Sequence, residues 1–226
     1  MTPNDMLPAL RKVLEQSKLF AFDFDGTLVQ SNEIKRQAFY LAVGNDPRVV
    51  STLDELLASR EQLNRYQLFD RISLAHPGFD SRDLVERYSG ICDEKIRQAP
   101  EVPGALSLLT KLKQAGKTSV ICSATPEEAL AKTVVGLPIF PLVEKVLGQP
   151  KSKTEHLLAC CDEMSIDSRS VVMVGDGILD QVAAREVGCA FVAVKSDNND
   201  FDICPDFWVK DLFELRSLMF SEKHDV

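Results

Sequence analysis

Paired cysteines, clustered histidines, long apolar runs and an excess of positive charge are all missing from this sequence. Its six cysteines, Cys92, Cys122, Cys160, Cys161, Cys189 and Cys204, form no Cys-x-x-Cys pair, and no histidine spacing completes a zinc site. Cys122 and Cys189 lie in apolar, strand-like runs and read as buried thiols. His76 and His156 are isolated and read as surface or loop residues. Trp208, the single tryptophan, reads as packing beside a late strand. No apolar segment approaches the roughly 20 residues that a membrane-spanning helix needs. The first residues show no basic region followed by an apolar run, so no signal peptide is expected and a reduced cytoplasmic setting is the default. A formal net charge of −8 argues against a nucleic-acid partner, whose phosphates would be repelled. Internal repeats and low-complexity segments are absent too.

What remains is an ordinary globular make-up, 45% hydrophobic and 27% charged over 226 residues. That length suits one domain with an insertion, or two small domains. The chain is organised around Leu19-Phe20-Ala21-Phe22-Asp23-Phe24-Asp25-Gly26-Thr27. Its apolar run, between Lys18 and Asp23, predicts a strand buried on both faces. Gly26 then permits a sharp turn, because it lacks the Cβ that restricts other residues. Before it, Met6, Leu7, Leu10, Val13 and Leu14 predict a helix over 4–16, with Asn4 or Asp5 as a cap.

Residues 31–99 change character. Helical patterns open at Ser31, with Ile34, Ala38, Phe39 and Ala42 on one face, and recur at 53–74 and 81–97. No convincing strand interrupts them, so this stretch predicts an all-helical insertion bounded by turns near Gln30 and Ala99-Pro100. Strand–helix alternation then resumes. Helices are expected at 104–114, 126–135, 152–164 (Leu157, Leu158 and Cys161 inward) and 212–220, with another between Asp176 and Gly188. Strands are expected at 118–122, 143–148, 170–174 and 190–194, with an edge strand at 207–209. The expected fold is α/β: a Rossmann-like, doubly wound, mostly parallel sheet from residues 1–30 and 100–226, with a helical domain inserted at 31–99.

Four strand ends carry chemically useful groups. Asp23 and Asp25 end the first strand, and two carboxylates that close must repel, share a proton or share a cation. Ser123 ends the strand at 118–122. Lys151 and Lys153 precede the helix at 154, and Gly175-Asp176 with Asp180 follows the strand at 170–174. Carboxylate pair, hydroxyl, lysine and second acidic cluster, in this order, are what phosphoryl transfer through an aspartyl phosphate requires.

With Asp-x-Asp-Gly-Thr after a buried strand and the other three signals following, the chain resembles the haloacid dehalogenase superfamily in its phosphatase branch. The likeness covers nearly the whole chain and is similar to phosphoglycolate phosphatases and β-phosphoglucomutases. It implies a Rossmann-like core with 31–99 as a helical cap that excludes water and selects substrate. Asp23 is then the nucleophile. Asp25 is the general acid and base, protonating the leaving oxygen and later deprotonating water. Mg²⁺, a hard cation, is held by Asp23 and Asp176 side chains and the Asp25 backbone carbonyl. Asp180 steadies a metal-bound water beside Gly175. Ser123, the Ala124 amide, Gly26, Thr27 and a lysine bind the phosphoryl group. The run Ser152-Lys153-Thr154 favours Lys153 as that lysine; Lys151 is the other candidate. Asn32 and Lys35, together with Arg36, Arg60, Arg65 and Tyr66, are candidate cap contacts.

The expected reaction is Mg²⁺-dependent hydrolysis of a small phosphorylated metabolite, such as a phosphoglycolate or sugar phosphate. A sugar phosphate mutase keeps the same motifs. A phosphoaccepting receiver module uses similar groups but lacks the insertion, and a silent binding protein would retain the fold without turnover. No segment reads as an oligomer interface.

Overall fold

A computed structural model describes residues 3–59, 61, 63–196, 201 and 203–220, with side chains from Leu7 onward. Arg60 lies outside the described residues. Helix α1 (Pro3–Gln16) places Leu10 and Leu14 in the core and leaves Leu7 exposed. It leads into β1 (Leu19–Phe22), in which every residue is fully buried. Lys117 Nζ donates to the carbonyls of Leu14, Glu15 and Ser17, closing the end of α1 against the sheet.

The chain divides into two compact units, residues 31–99 and the remainder. The first consists of α2 (Asn32–Val43), α3 (Pro47–Ala58), α4 (Arg65–Ala75) and α5 (Ser81–Ile96). Its centre holds Phe39 between Phe69 and Tyr88, at ring-centroid distances of 5.5 and 4.4 Å, with Val49, Leu53, Ile72 and Leu84 buried around them. The helix expected over 53–74 is in fact two. Asn64 forms a capping box, its side chain accepting from Tyr66 and Gln67 amides while the Gln67 side chain accepts from the Asn64 amide. That box starts a new helix, and Ser59 has already turned extended. The preceding helix starts earlier than expected, at Pro47, under an Asp46 cap.

The second unit continues with α6 (Ala105–Gln114), β2 (Thr118–Pro126), α7 (Glu127–Val134), β3 (Lys145–Gln149), α8 (Lys153–Met164) and β4 (Val171–Gly175). Then come α9 (Ile178–Val187), β5 (Ala190–Val194), β6 (Phe207–Val209) and α10 (Leu212–Phe220). The strands lie in the order β3-β2-β1-β4-β5-β6, and every adjacent pair is parallel. This is the Rossmann-like doubly wound order, whose reversal point falls between β1 and β4. Leu19 and Ala21 share one core face with Val120, Met173, Leu157 and Ala183, under α8 and α9. Phe20 and Phe22 alternate to the other face.

Three further expectations are corrected. Strand β2 does not stop at Cys122 but runs on to Pro126, its pairing with β3 shifting register between those residues. Leu158 is 48% exposed, because Leu157 and Cys161 fill the inward stripe of α8. Cys189 is only half-buried, since it precedes β5 rather than lying within it. Cys122 is buried as expected. Trp208 lies in β6, its ring edge-on to Phe201 at 5.2 Å. Among the described residues, no helix is long and apolar enough to cross a membrane.

Candidate active site

Where β1 runs out, Asp23 is still held to the sheet by its amide, which donates to Val174 O at 2.9 Å. The chain then turns through Gly26, at φ 81°, with the Gly26 amide donating to Val29 O and the Leu28 and Val29 amides to Phe24 O. The opposite side of the site is the start of α8. Ser152 caps that helix reciprocally with Glu155, fixing its first turn. From there Lys153 Nζ reaches Asp23 Oδ1 and Asp180 Oδ1, both at 2.5 Å. All three side chains are under 10% exposed.

Asp180 comes from the first turn of α9, and its Oδ2 accepts from the Gly177 amide at 3.1 Å. Gly175 makes this approach possible: a Cβ there would stand 2.3 Å from the Asp180 carboxylate. Asp176, also buried, accepts from Thr27 Oγ1 at 3.3 Å. Carboxylate oxygens of Asp23, Asp176 and Asp180 all lie within 4.8 Å of one another.

Burial and charge decide the protonation of this cluster. Burial pushes the Asp23 carboxyl up to about 7; Lys153 opposes that shift, and Asp180 and Asp25 add to it. Asp180 is likewise raised, by burial first. Burial works against the Lys153 ammonium, but Asp180 and Asp23 outweigh it and hold Lys153 charged above the ordinary lysine range. Burial also drives the Cys122 thiol up to about 12, so it is a packing group behind the site rather than a nucleophile.

Asp25 has a different environment. Its Oδ2 accepts from Thr125 Oγ1 at 3.0 Å. The Thr125 amide donates to Ser123 Oγ at 3.1 Å, within the last residues of β2, where Ser123 is buried and Ala124 exposed. Lys151 is exposed, two residues short of Lys153. Asn32 and Lys35 lie at the start of α2, in the helical unit, as does Arg65, whose guanidinium stacks 4.9 Å from the Tyr88 ring centroid.

Two residues in this neighbourhood escape the sequence reading. Thr125 carries no signal beyond its place after Ser123. His156, expected on the surface, is buried, with Nε2 2.8 Å from Gly148 O. An i+3 offset from Lys153 on the inward side of α8 was the available clue.

A family model for haloacid dehalogenase-like hydrolases matches residues 17–188. The chain belongs to this family. A phosphoglycolate phosphatase from Chromobacterium violaceum is 29% identical over 223 residues, covering 91% of this chain and 98% of the relative. Among solved structures, a predicted phosphoglycolate phosphatase from Haemophilus somnus superposes with a TM-score of 0.71 at 18% identity, covering 88% of this chain and 96% of its own. CbbY from Rhodobacter sphaeroides, solved with a xylulose bisphosphate, gives a TM-score of 0.69 at 16% identity, over 88% and 96% of the two chains. This haloacid dehalogenase-like hydrolase is a phosphoric monoester hydrolase. The match takes in β1, β2, α8 and β4, the elements that border the cluster of Asp23, Lys153, Asp176 and Asp180.

Proposed function

We propose that this phosphatase hydrolyses a small phosphomonoester, phosphoglycolate- or sugar-phosphate-like, through an aspartyl phosphate on Asp23. The observation that carries the reading is the meeting of Lys153 with Asp23 beside two further buried carboxylates. Three acidic groups against one ammonium leave an excess of buried negative charge, which suits a divalent cation. Oxygen donors alone favour Mg²⁺, with Asp23 and Asp176 side chains and the Asp25 carbonyl as its protein ligands. When bound, the ion neutralises phosphoryl oxygens that would otherwise repel an attacking carboxylate.

The chain's own groups do the rest. An Asp23 oxygen attacks phosphorus as the ester P–O bond breaks, and Asp25 gives a proton to the departing oxygen. Asp25 then takes a proton from the water that attacks the same phosphorus, freeing Asp23. Lys153, the Ser123 hydroxyl and the Ala124 amide hold the phosphoryl oxygens, while Gly26 and Thr27 shape the loop beneath them. Asp180 and Gly175 keep Lys153 in place. Residues 31–99 serve as the cap that selects the substrate, with Asn32 and Lys35 among its contacts. The substrate class follows the relatives' names, phosphoglycolate above all. The proposed setting is the cytoplasm, where the free cysteines stay reduced.

The test is phosphate release from a panel of small phosphomonoesters, with Mg²⁺ and with chelator, for the wild type and Asp23→Asn. Metal-dependent release that disappears in the variant is expected. Release that survives Asp23→Asn would rule out the aspartyl phosphate.

A further inference from the structure

We infer that Thr125 is a positioning residue for Asp25: its hydroxyl sets the rotation of that carboxylate and thereby governs breakdown of the phosphoenzyme. This rests on the phosphatase chemistry proposed above and adds a residue to it. Thr125 Oγ1 donates to Asp25 Oδ2 at 3.0 Å across a separation of 100 residues, joining the loop after β1 to the end of β2.

Asp25 lies beyond β1, in the turn at Gly26, so no continuous ladder fixes its side chain. A carboxylate that gives a proton to one oxygen and takes one from another must present the same edge to both. Thr125 is built to hold that edge. It falls where β2 has left its regular register with β3, between Cys122 and Pro126. Two contacts and a proline nevertheless pin its backbone. Its amide donates to Ser123 Oγ. Pro126, with its restricted φ, follows directly and caps α7. The Thr125 carbonyl oxygen packs on Gly148 so closely that a Cβ there would come within 2.5 Å. Gly148 is itself tied on both sides, its amide donating to Glu127 Oε2 at 3.4 Å and its carbonyl facing His156 Nε2. On a fixed backbone, a β-branched side chain has few rotamers, so the hydroxyl is aimed rather than mobile.

The consequence is specific to one half-reaction. An aryl leaving group departs as a stable phenolate and needs little help from an acid. Attack by Asp23 on p-nitrophenyl phosphate therefore proceeds without a well-placed Asp25. Water attack on the aspartyl phosphate still requires Asp25 to accept a proton.

The experiment is rapid-mixing kinetics with p-nitrophenyl phosphate and saturating Mg²⁺ for the wild type, Thr125→Val and Thr125→Ser. For Thr125→Val the expected result is a burst of about one equivalent of nitrophenol, with steady-state turnover down about tenfold or more. Thr125→Ser, which keeps the hydroxyl, is expected to restore turnover with an unchanged KM. Should the valine variant not fold, Thr125→Ala removes the same hydroxyl and is read in the same way. Wild-type turnover in the hydroxyl-less variant would overturn the inference, as would parallel loss of burst and turnover or failure of serine to rescue. No metal-dependent release from the wild type would overturn the underlying chemistry instead, so the two failures are distinct.

Discussion

Lys153 Nζ lies 2.5 Å from Asp23 Oδ1 across a sequence separation of 130 residues, and both side chains are buried. The contact depends on two fixed points, the end of β1 and the capped first turn of α8. Asp180 completes the arrangement from the first turn of α9. The Lys153 ammonium thus answers for two carboxylates, and removing it takes that charge from Asp23 and leaves Asp180 with the Gly177 amide.

Lys153→Met is therefore expected to destabilise the metal-free protein by about 3–5 kcal/mol, the usual consequence of deleting one partner of a buried ion pair. Urea denaturation with and without Mg²⁺ checks this. Added Mg²⁺ should recover part of the loss, and equal stability of variant and wild type without metal would contradict the charge balance described here.

The raised carboxyl of Asp23 makes a pH prediction. Its value in the fold, about 7, lies above the ordinary 3.8. A raised carboxyl stabilises the fold fully below its unfolded value, and that stabilisation fades as pH rises through about 7. The metal-free protein should thus lose thermal stability as pH rises from about 4 through about 7. In the coordination proposed above, Mg²⁺ would displace the same proton, so its affinity should weaken as pH falls below about 7, approaching about tenfold per unit. Calorimetric titration at several pH values measures this, and a pH-independent affinity would contradict it.

Gly148 is closed to any side chain. Ala at this position would place Cβ within 2.5 Å of Thr125 O and 2.6 Å of Glu127 Cα. Gly148→Ala should cost about 1–3 kcal/mol as an overpacked site. It should also lower turnover by moving Thr125. A variant with unchanged melting temperature and unchanged kcat would show that β3 yields without disturbing β2.

His156→Phe keeps the ring and removes the partner of Gly148 O. A buried carbonyl left alone costs about 1–3 kcal/mol. Thermal or urea unfolding is the readout, and His156→Gln, which can still donate, should lose less than His156→Phe.

The parts of this molecule legible in its sequence are those in which the signal is local. The apolar run 19–22 stands between Lys18 and two aspartates, and β1 forms there with only small differences in bounds. Gly175-Asp176 and Asp180 announce the other acidic strand end in the same way. The break at Ser59–Asn64 was also local, since Asn64 and Gln67 stand at capping-box spacing, but a continuing apolar period across 53–74 hides it. Thr125 and His156 are another matter. Thr125 owes its place to a partner 100 residues away that the parallel register brings near, and His156 to the tight connection that folds α8 back on the end of β3, so neither stands out from the residues beside it.

Strand β1 is bonded along its length to β2 on one side and β4 on the other, and its side chains are fully buried. Neither ladder can open alone to release it, so the free energy needed to expose the amides of Ala21 to Asp23 approaches that of unfolding the whole sheet. Thr125 sits at the irregular, half-buried end of β2, outside such a double ladder. Hydrogen exchange would then divide the catalytic apparatus into two classes. Asp23 is expected in the slowest-exchanging part of the protein, and Thr125 in a strand end held by local contacts rather than by two ladders.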